Sequence, residues 1–166
     1  MARILIAYAT KNGSTSGIAE AIKEELTSAG HEVGVQEMKA VKTLDGFDAV
    51  IIGAPIYCAK PLDMEKFTGK FRDALAKLPV AAFAVGISPA TKEEKQVAQA
   101  EKLLHEALGP LQPVAETVFA GKLDPASLNF ITRKLMVDLG KLPTGDFRDW
   151  NAIAAWAEEA GKKLTS

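Results

Sequence analysis

Three loops hold the residue types that could do chemistry. The first is Thr10-Lys11-Asn12-Gly13-Ser14-Thr15, in which three hydroxyls and an amide surround one glycine. It follows an apolar run and opens an amphipathic one, so its backbone N–H groups and the positive end of a helix converge on one point. That set suits a terminal phosphate monoester, a dianion whose three oxygens accept many neutral donors. An ordinary capped helix start after a strand accounts for the same residues equally well. The second loop, Gly53-Ala54-Pro55-Ile56-Tyr57-Cys58-Ala59-Lys60-Pro61, keeps its backbone close and stiff with small residues and two prolines, and Tyr57 offers a planar face. Cys58 reads as a small packing residue, because no His lies nearby in sequence. The third loop, Gly86-Ile87-Ser88-Pro89-Ala90-Thr91, again presents small residues and backbone donors. Together the three make a slot for a flat ring with a phosphate tail.

Rival motifs are missing. No G-x-G-x-x-G follows the first strand, which disfavours a dinucleotide held by its pyrophosphate. Gly69-Lys70 and Gly121-Lys122 are followed by Phe71 and Leu123, so neither completes a P-loop. The strand ends lack the acidic residues of a receiver-type phosphorylation site, and there is no G-x-S-x-G nucleophile elbow. His31 falls in a helix–strand turn and His105 on a surface helix, so neither suits a proton shuttle. No Cys/His cluster has metal-ligand spacing, and the single cysteine cannot form an internal disulfide. No residue stands out as a catalytic acid or base.

The elements that position these loops alternate along the chain. Ile4–Tyr8, Ala49–Gly53, Ala81–Val85 and Val114–Phe119 read as buried strands, and His31–Glu37 as a half-exposed edge strand. Ile18, Ile22, Leu26 and Ala29 line one helix, stopped by Gly30. Met64, Phe67, Phe71, Leu75 and Leu78 line a second, ended by Pro79. Thr91-Lys92-Glu93-Glu94 is a capping box for a third, which runs to Leu108. The last begins near Asp149-Trp150 and turns Ile153, Ala154, Ala157 and Leu164 inward. The link from Glu37 to Asp48 has room for one helical turn. Strands alternating with helices mean a parallel sheet covered on both faces. One stretch exceeds this pattern: Asp124-Pro125 opens an extra helix near 125–139, with Leu128, Ile131, Leu135, Met136 and Leu139 on one face and Phe130 and Val137 off it.

Length and charge narrow the class. The chain of 166 residues fits one domain, 1–166, with enough length for a full core. Its 20 Lys+Arg against 21 Asp+Glu give a formal charge of −1, with no pull toward nucleic acid and at most a peripheral membrane contact. The N-terminal apolar run is too short for a signal peptide or a span, so a cytoplasmic location is expected.

On these residues the chain resembles the flavodoxin-like FMN-binding family along its whole length. Thr10, Asn12, Gly13 and Thr15 are similar to that family's [TS]-x-[TDN]-G-x-[TS] signature, and Leu44-Asp45-Gly46-Phe47-Asp48 leads into the second loop as the family's chains do. The resemblance implies an α/β three-layer sandwich with a five-stranded parallel sheet in the order 2-1-3-4-5. It implies FMN contacts from Thr10, Lys11, Asn12, Gly13, Ser14 and Thr15, from Ala54, Pro55, Ile56, Tyr57 and Cys58, and from Gly86, Ile87, Ser88 and Pro89. Tyr57 would stack on the isoalloxazine, and the backbone from Gly86 to Pro89 would meet its pyrimidine edge. Phe119-Ala120-Gly121-Lys122-Leu123, Arg133-Lys134-Leu135-Met136 and Gly145-Asp146-Phe147-Arg148-Asp149-Trp150 resemble the menaquinone-linked protoporphyrinogen oxidase branch, which also places an extra segment before the last helix. Electron-carrier flavodoxins are strongly acidic as a family, and this chain is nearly neutral. Three functions are open on this reading. One is a redox protein passing electrons to a partner protein or quinone. The second is a quinone-dependent protoporphyrinogen IX oxidase of haem biosynthesis, with a porphyrinogen substrate. The third is a flavin-binding regulatory module. The oligomeric state stays open.

Overall fold

The apolar runs become strands and the 3.6-residue stripes become helices, in the order the sequence dictates. A computed structural model describes residues 1–11, 13–57, 60–86, 94–123 and 145–166. Its elements are β1 (Arg3–Tyr8), α1 (Ser14–Ser28), β2 (Glu32–Glu37), a 3-10 turn (Met38–Ala40), β3 (Ala49–Tyr57), β4 (Lys60–Pro61), α2 (Met64–Lys70), α3 (Arg72–Leu75), β5 (Val80–Gly86), α4 (Glu94–Leu108), β6 (Ala115–Ala120), β7 (Lys122–Leu123), β8 (Gly145–Asp146) and α5 (Trp150–Leu164). The five long strands are parallel and lie in the order β2-β1-β3-β5-β6, which is 2-1-3-4-5 once the short β4 is set aside. Chain order reverses at β1, whose neighbours are β2 on one side and β3 on the other. In such a sheet the crevice for a ligand lies beyond the C-terminal strand ends at that switch.

Alternate residues of each strand feed two cores. Leu5, Ala7, Val50, Ile52, Ala82 and Ala84 pack under Met64, Phe67, Leu75, Leu104 and Leu108 of α2, α3 and α4. Ile4, Ile6, Ile51, Ala81, Phe83 and Val85 pack under Ile18, Ile22 and Leu26 of α1 and Ile153, Ala157 and Leu164 of α5. Both faces are thus covered, which is why the central strands read as unbroken apolar runs. β2 lies at an edge and is only half-buried, as its alternation requires.

Three details depart from the sequence pattern. Ala29 is exposed at the C-cap of α1, and Ala19 takes the inward place. Ala154 is half-buried, with Ala160 and Gly161 completing the inward face of α5. The second stripe is split at Phe71, where φ is −109° and ψ 25°. Hydrogen bonds from Phe71 N to Phe67 O (3.1 Å) and Leu75 N to Phe71 O (2.8 Å) still carry the ladder across the break. Thr91, Lys92 and Glu93 of the capping box, and the extra helix expected near 125–139, lie outside the described residues.

Phe83 anchors the face that holds α1 and α5. It is fully buried, its ring lies against Gly53 where no side chain would fit, and it meets Phe119 at 5.7 Å and Trp156 at 6.0 Å between centroids. Phe83→Ala should therefore lower stability by roughly 3–5 kcal/mol in denaturant unfolding. A loss below about 1.5 kcal/mol would mean that α5 collapses into the space.

Candidate functional site

The first loop leaves β1 at the switch point, where Ala9 N donates to Gly53 O at 2.9 Å and ties β1 to β3. Gly13 is the N-cap of α1, with φ 86° and ψ −11°, a left-handed conformation that glycine adopts at no steric cost. Its N–H donates to Thr10 Oγ1 at 2.9 Å, and its carbonyl accepts from Ser16 Oγ at 2.8 Å. These two bonds shape the turn, yet neither caps the helix. Among the described residues no side chain accepts from the first turn of α1, and that turn contains no acidic residue. Its leading N–H groups are left for a ligand or solvent.

Thr15 sharpens the point. The residue is completely buried, and Oγ1 has no hydrogen-bond partner among the described residues. An orphaned buried hydroxyl costs about 1–3 kcal/mol, so it marks a group awaiting an acceptor or donor. Among the described residues no side chain caps that turn, which leaves room there for a ligand.

The other loops arrive at the same end of the sheet. Ala54 is buried, Pro55 and Ile56 are half-buried, and Tyr57 is 39% exposed at the end of β3. β4 folds back on β3 through the pairs Ile56–Pro61 and Tyr57–Lys60, with Leu62 N donating to Pro55 O at 2.9 Å. Lys11 Nζ sits 4.5 Å from the centroid of the Tyr57 ring, so the first and second loops touch through a cation on an aromatic face. Gly86 ends β5, and its carbonyl accepts from Gly121 N at 2.9 Å. Asn12, Cys58, Ile87, Ser88 and Pro89 lie outside the described residues. His31 Nδ1 accepts from Ala2 N at 3.2 Å, and His105 Nδ1 faces Glu116 at 3.2 Å, both at the opposite end of the sheet.

Sequence reasoning gave no role to a group that the structure puts beside this turn. A Cβ on Gly121 would stand 3.7 Å from Ser14 Oγ, and a Cβ on Gly17 would stand 2.6 Å from Arg148 Nη1. Arg148 pairs with Asp146 through Nε–Oδ1 at 2.9 Å and Nη2–Oδ2 at 2.7 Å. Those hydrogen bonds hold the Asp146 carboxyl at about 2, below its usual value, against the opposing effect of burial. The one available signal was Gly17 itself, since a glycine inside a helix is unfavourable unless something approaches closely.

An open parallel sheet that gathers a helix N-terminus and neutral donors at its switch point has the architecture of a mononucleotide-binding α/β protein. The comparisons with known proteins agree. A family model for the flavodoxin domain matches residues 5–149, and the chain belongs to that family. It is 26% identical over 170 aligned residues to protoporphyrinogen IX dehydrogenase (quinone) of Escherichia coli K12, covering 95% of this chain and 93% of that one. The structure is similar to oxidised Flavodoxin 2 from Bacillus cereus, with 24% identity, a TM-score of 0.56 and coverage of 98% and 99%. It is also similar to oxidised Flavodoxin 1 from Bacillus cereus, with 16% identity, a TM-score of 0.60 and coverage of 96% and 97%. The cofactor is FMN, and the protein is a flavodoxin-type redox protein. The Thr15 hydroxyl and the open N-terminus of α1 fit its phosphate. No helix among the described residues is long and apolar enough to cross a membrane.

Two outcomes should separate the roles at this site. Thr15→Val keeps the shape of the side chain and removes the orphaned hydroxyl. It should raise apoprotein stability by about 1 kcal/mol in thermal unfolding while weakening FMN binding by about 1–2 kcal/mol in calorimetry. The Asp146–Arg148 pair should show in acid. A carboxyl whose folded pKa is lowered stabilises the fold above its unfolded value, near 4, and loses that contribution as pH falls toward about 2. Denaturant unfolding between about pH 5 and 2 should show this fall, and Asp146→Asn should flatten part of it.

Proposed function

We propose that the first turn of α1 holds the FMN phosphate and that the protein exchanges electrons with a partner protein or a quinone. The observation that carries the first part is the buried Thr15 hydroxyl, which has no partner among the described residues, at a helix start that none of them caps. Thr15 Oγ1, the hydroxyls of Thr10 and Ser14, and the N–H groups of the first turn donate to phosphate oxygens. The helix end adds its partial positive charge. Tyr57 covers one face of the flavin ring and keeps water from it, with Lys11 held against the phenol. Ala54, Pro55 and Ile56 give the second loop a close, stiff backbone. Asn12, Cys58 and the stretch Gly86 to Pro89 complete the contacts by the family resemblance. Bound FMN supplies a ring system that accepts and releases electrons, and the chain's task is to fix its orientation and the charge around it.

A second reading, oxidation of a porphyrinogen with a quinone as acceptor, is favoured by the likeness to the Escherichia coli dehydrogenase over nearly the full length of both chains. Anaerobic mixing distinguishes the two. If a quinone is the acceptor, under either reading, a soluble quinone should reoxidise the chemically reduced protein, seen as return of the flavin absorption. Only under the second should protoporphyrinogen bleach the oxidised protein and turn over when quinone is added. Flavin that stays reduced in the presence of quinone would leave a protein partner as the acceptor.

A further inference from the structure

Arg148, which follows β8, is restrained from several sides. Nε and Nη2 grip the two oxygens of Asp146, and the Arg148 backbone N–H donates to Asp146 Oδ1 at 3.1 Å. The guanidinium carbon lies 4.7 Å from the centroid of the Trp150 ring, and the side chain is only 14% exposed. One edge of the fork is uncommitted: among the described residues Nη1 donates to nothing. Its place is informative. Nη1 fills the space where a Cβ on Gly17 would stand. Gly17 follows Gly13 by one helical turn, so Nη1 lies against α1 within a turn of its N-terminus. The neighbouring backbone agrees, since Phe147 N donates to Gly121 O at 3.0 Å and Gly121 lies against Ser14.

A cation is disfavoured beside the positive end of a helix, and α1 carries no acidic residue in its first turn to offset it. Asp146 neutralises the far edge of the guanidinium and leaves the near edge facing the turn. A dianion on that turn changes the balance, because it is attracted by the helix end and by Arg148 together. A planar, always-charged fork with an open edge suits a phosphate oxygen better than a lysine would.

We infer that Arg148 is a positioning and charge-bearing residue for the cofactor phosphate, oriented by Asp146 and Trp150 and admitted by Gly17. This rests on the reading that places the FMN phosphate on α1. The test is fluorescence titration of the wild-type chain, R148Q and R148K with FMN and with riboflavin, at low and high salt, with circular dichroism to confirm folding. The wild type should prefer FMN. R148Q should lose about tenfold in FMN affinity, change less than about twofold toward riboflavin, and show a flatter salt dependence. R148K should fall between the two in its preference for FMN. Equal losses toward both ligands, or no loss, would make Arg148 a structural brace and overturn the inference. If R148Q does not fold, R148K decides: a lowered FMN-to-riboflavin ratio supports the inference and an unchanged ratio overturns it. A wild type indifferent to the phosphate would instead remove the reading beneath it, and the inference with it.

Discussion

Among the described residues, the backbone N–H groups at the N-terminus of α1 have no side-chain cap, and the buried Thr15 hydroxyl beside them has no partner. Both are unfavourable in the empty protein and favourable once an anion arrives. The surrounding structure serves to hold this turn where it is. Gly13 supplies the left-handed corner, Thr10 and Ser16 fix its shape, and the bond from Ala9 to Gly53 sets the end of β1 against β3. A shift of β1 in register by one residue would exchange Ile4 and Ile6 for Leu5 and Ala7 between the two cores, so packing locks the turn in place.

The same end of the sheet gathers the remaining parts. Tyr57 stands on a hairpin closed by β4, and Lys11 links it to the first loop. Gly121 brings the end of β6 against Gly86 and Ser14, and the chain returning through β8 delivers Arg148 to Gly17. A site assembled from so many separate segments can be rigid only because the sheet beneath it is buried on both faces. Under this region Trp156 packs edge to face on Phe83 and Phe119, whose rings are tilted to each other, and so fixes α5 on β5 and β6.

Most of this was legible in the residues because it is local. Unbroken apolar runs mark strands covered on both sides, alternation marked β2 as an edge, and Gly30 marked the end of α1. The loop Thr10–Thr15 announced a helix start rich in donors. What stayed hidden depends on contacts between distant segments or on pieces too short to have a period. The two-residue strands β4, β7 and β8 carry no pattern of their own. The break at Phe71 leaves the apolar stripe intact, so periodicity could not reveal it. Whether the first turn of α1 is capped is decided by side-chain geometry, and the sequence offered both answers. Arg148 and Gly17 lie at opposite ends of the chain, and nothing near either names the other.

The central claim is that the phosphate of FMN sits as a dianion on the first turn of α1. Phosphorus-31 NMR of the FMN complex, titrated from about pH 8 to 5, tests it most directly. A free phosphate monoester takes up its proton near pH 6. Held by the helix end, the Thr15 hydroxyl and their neighbours, the bound phosphate should keep the shift of the dianion across that range. Thr15→Val should bring back part of the titration. A bound resonance that titrates like free FMN, in wild type and variant alike, would contradict the account.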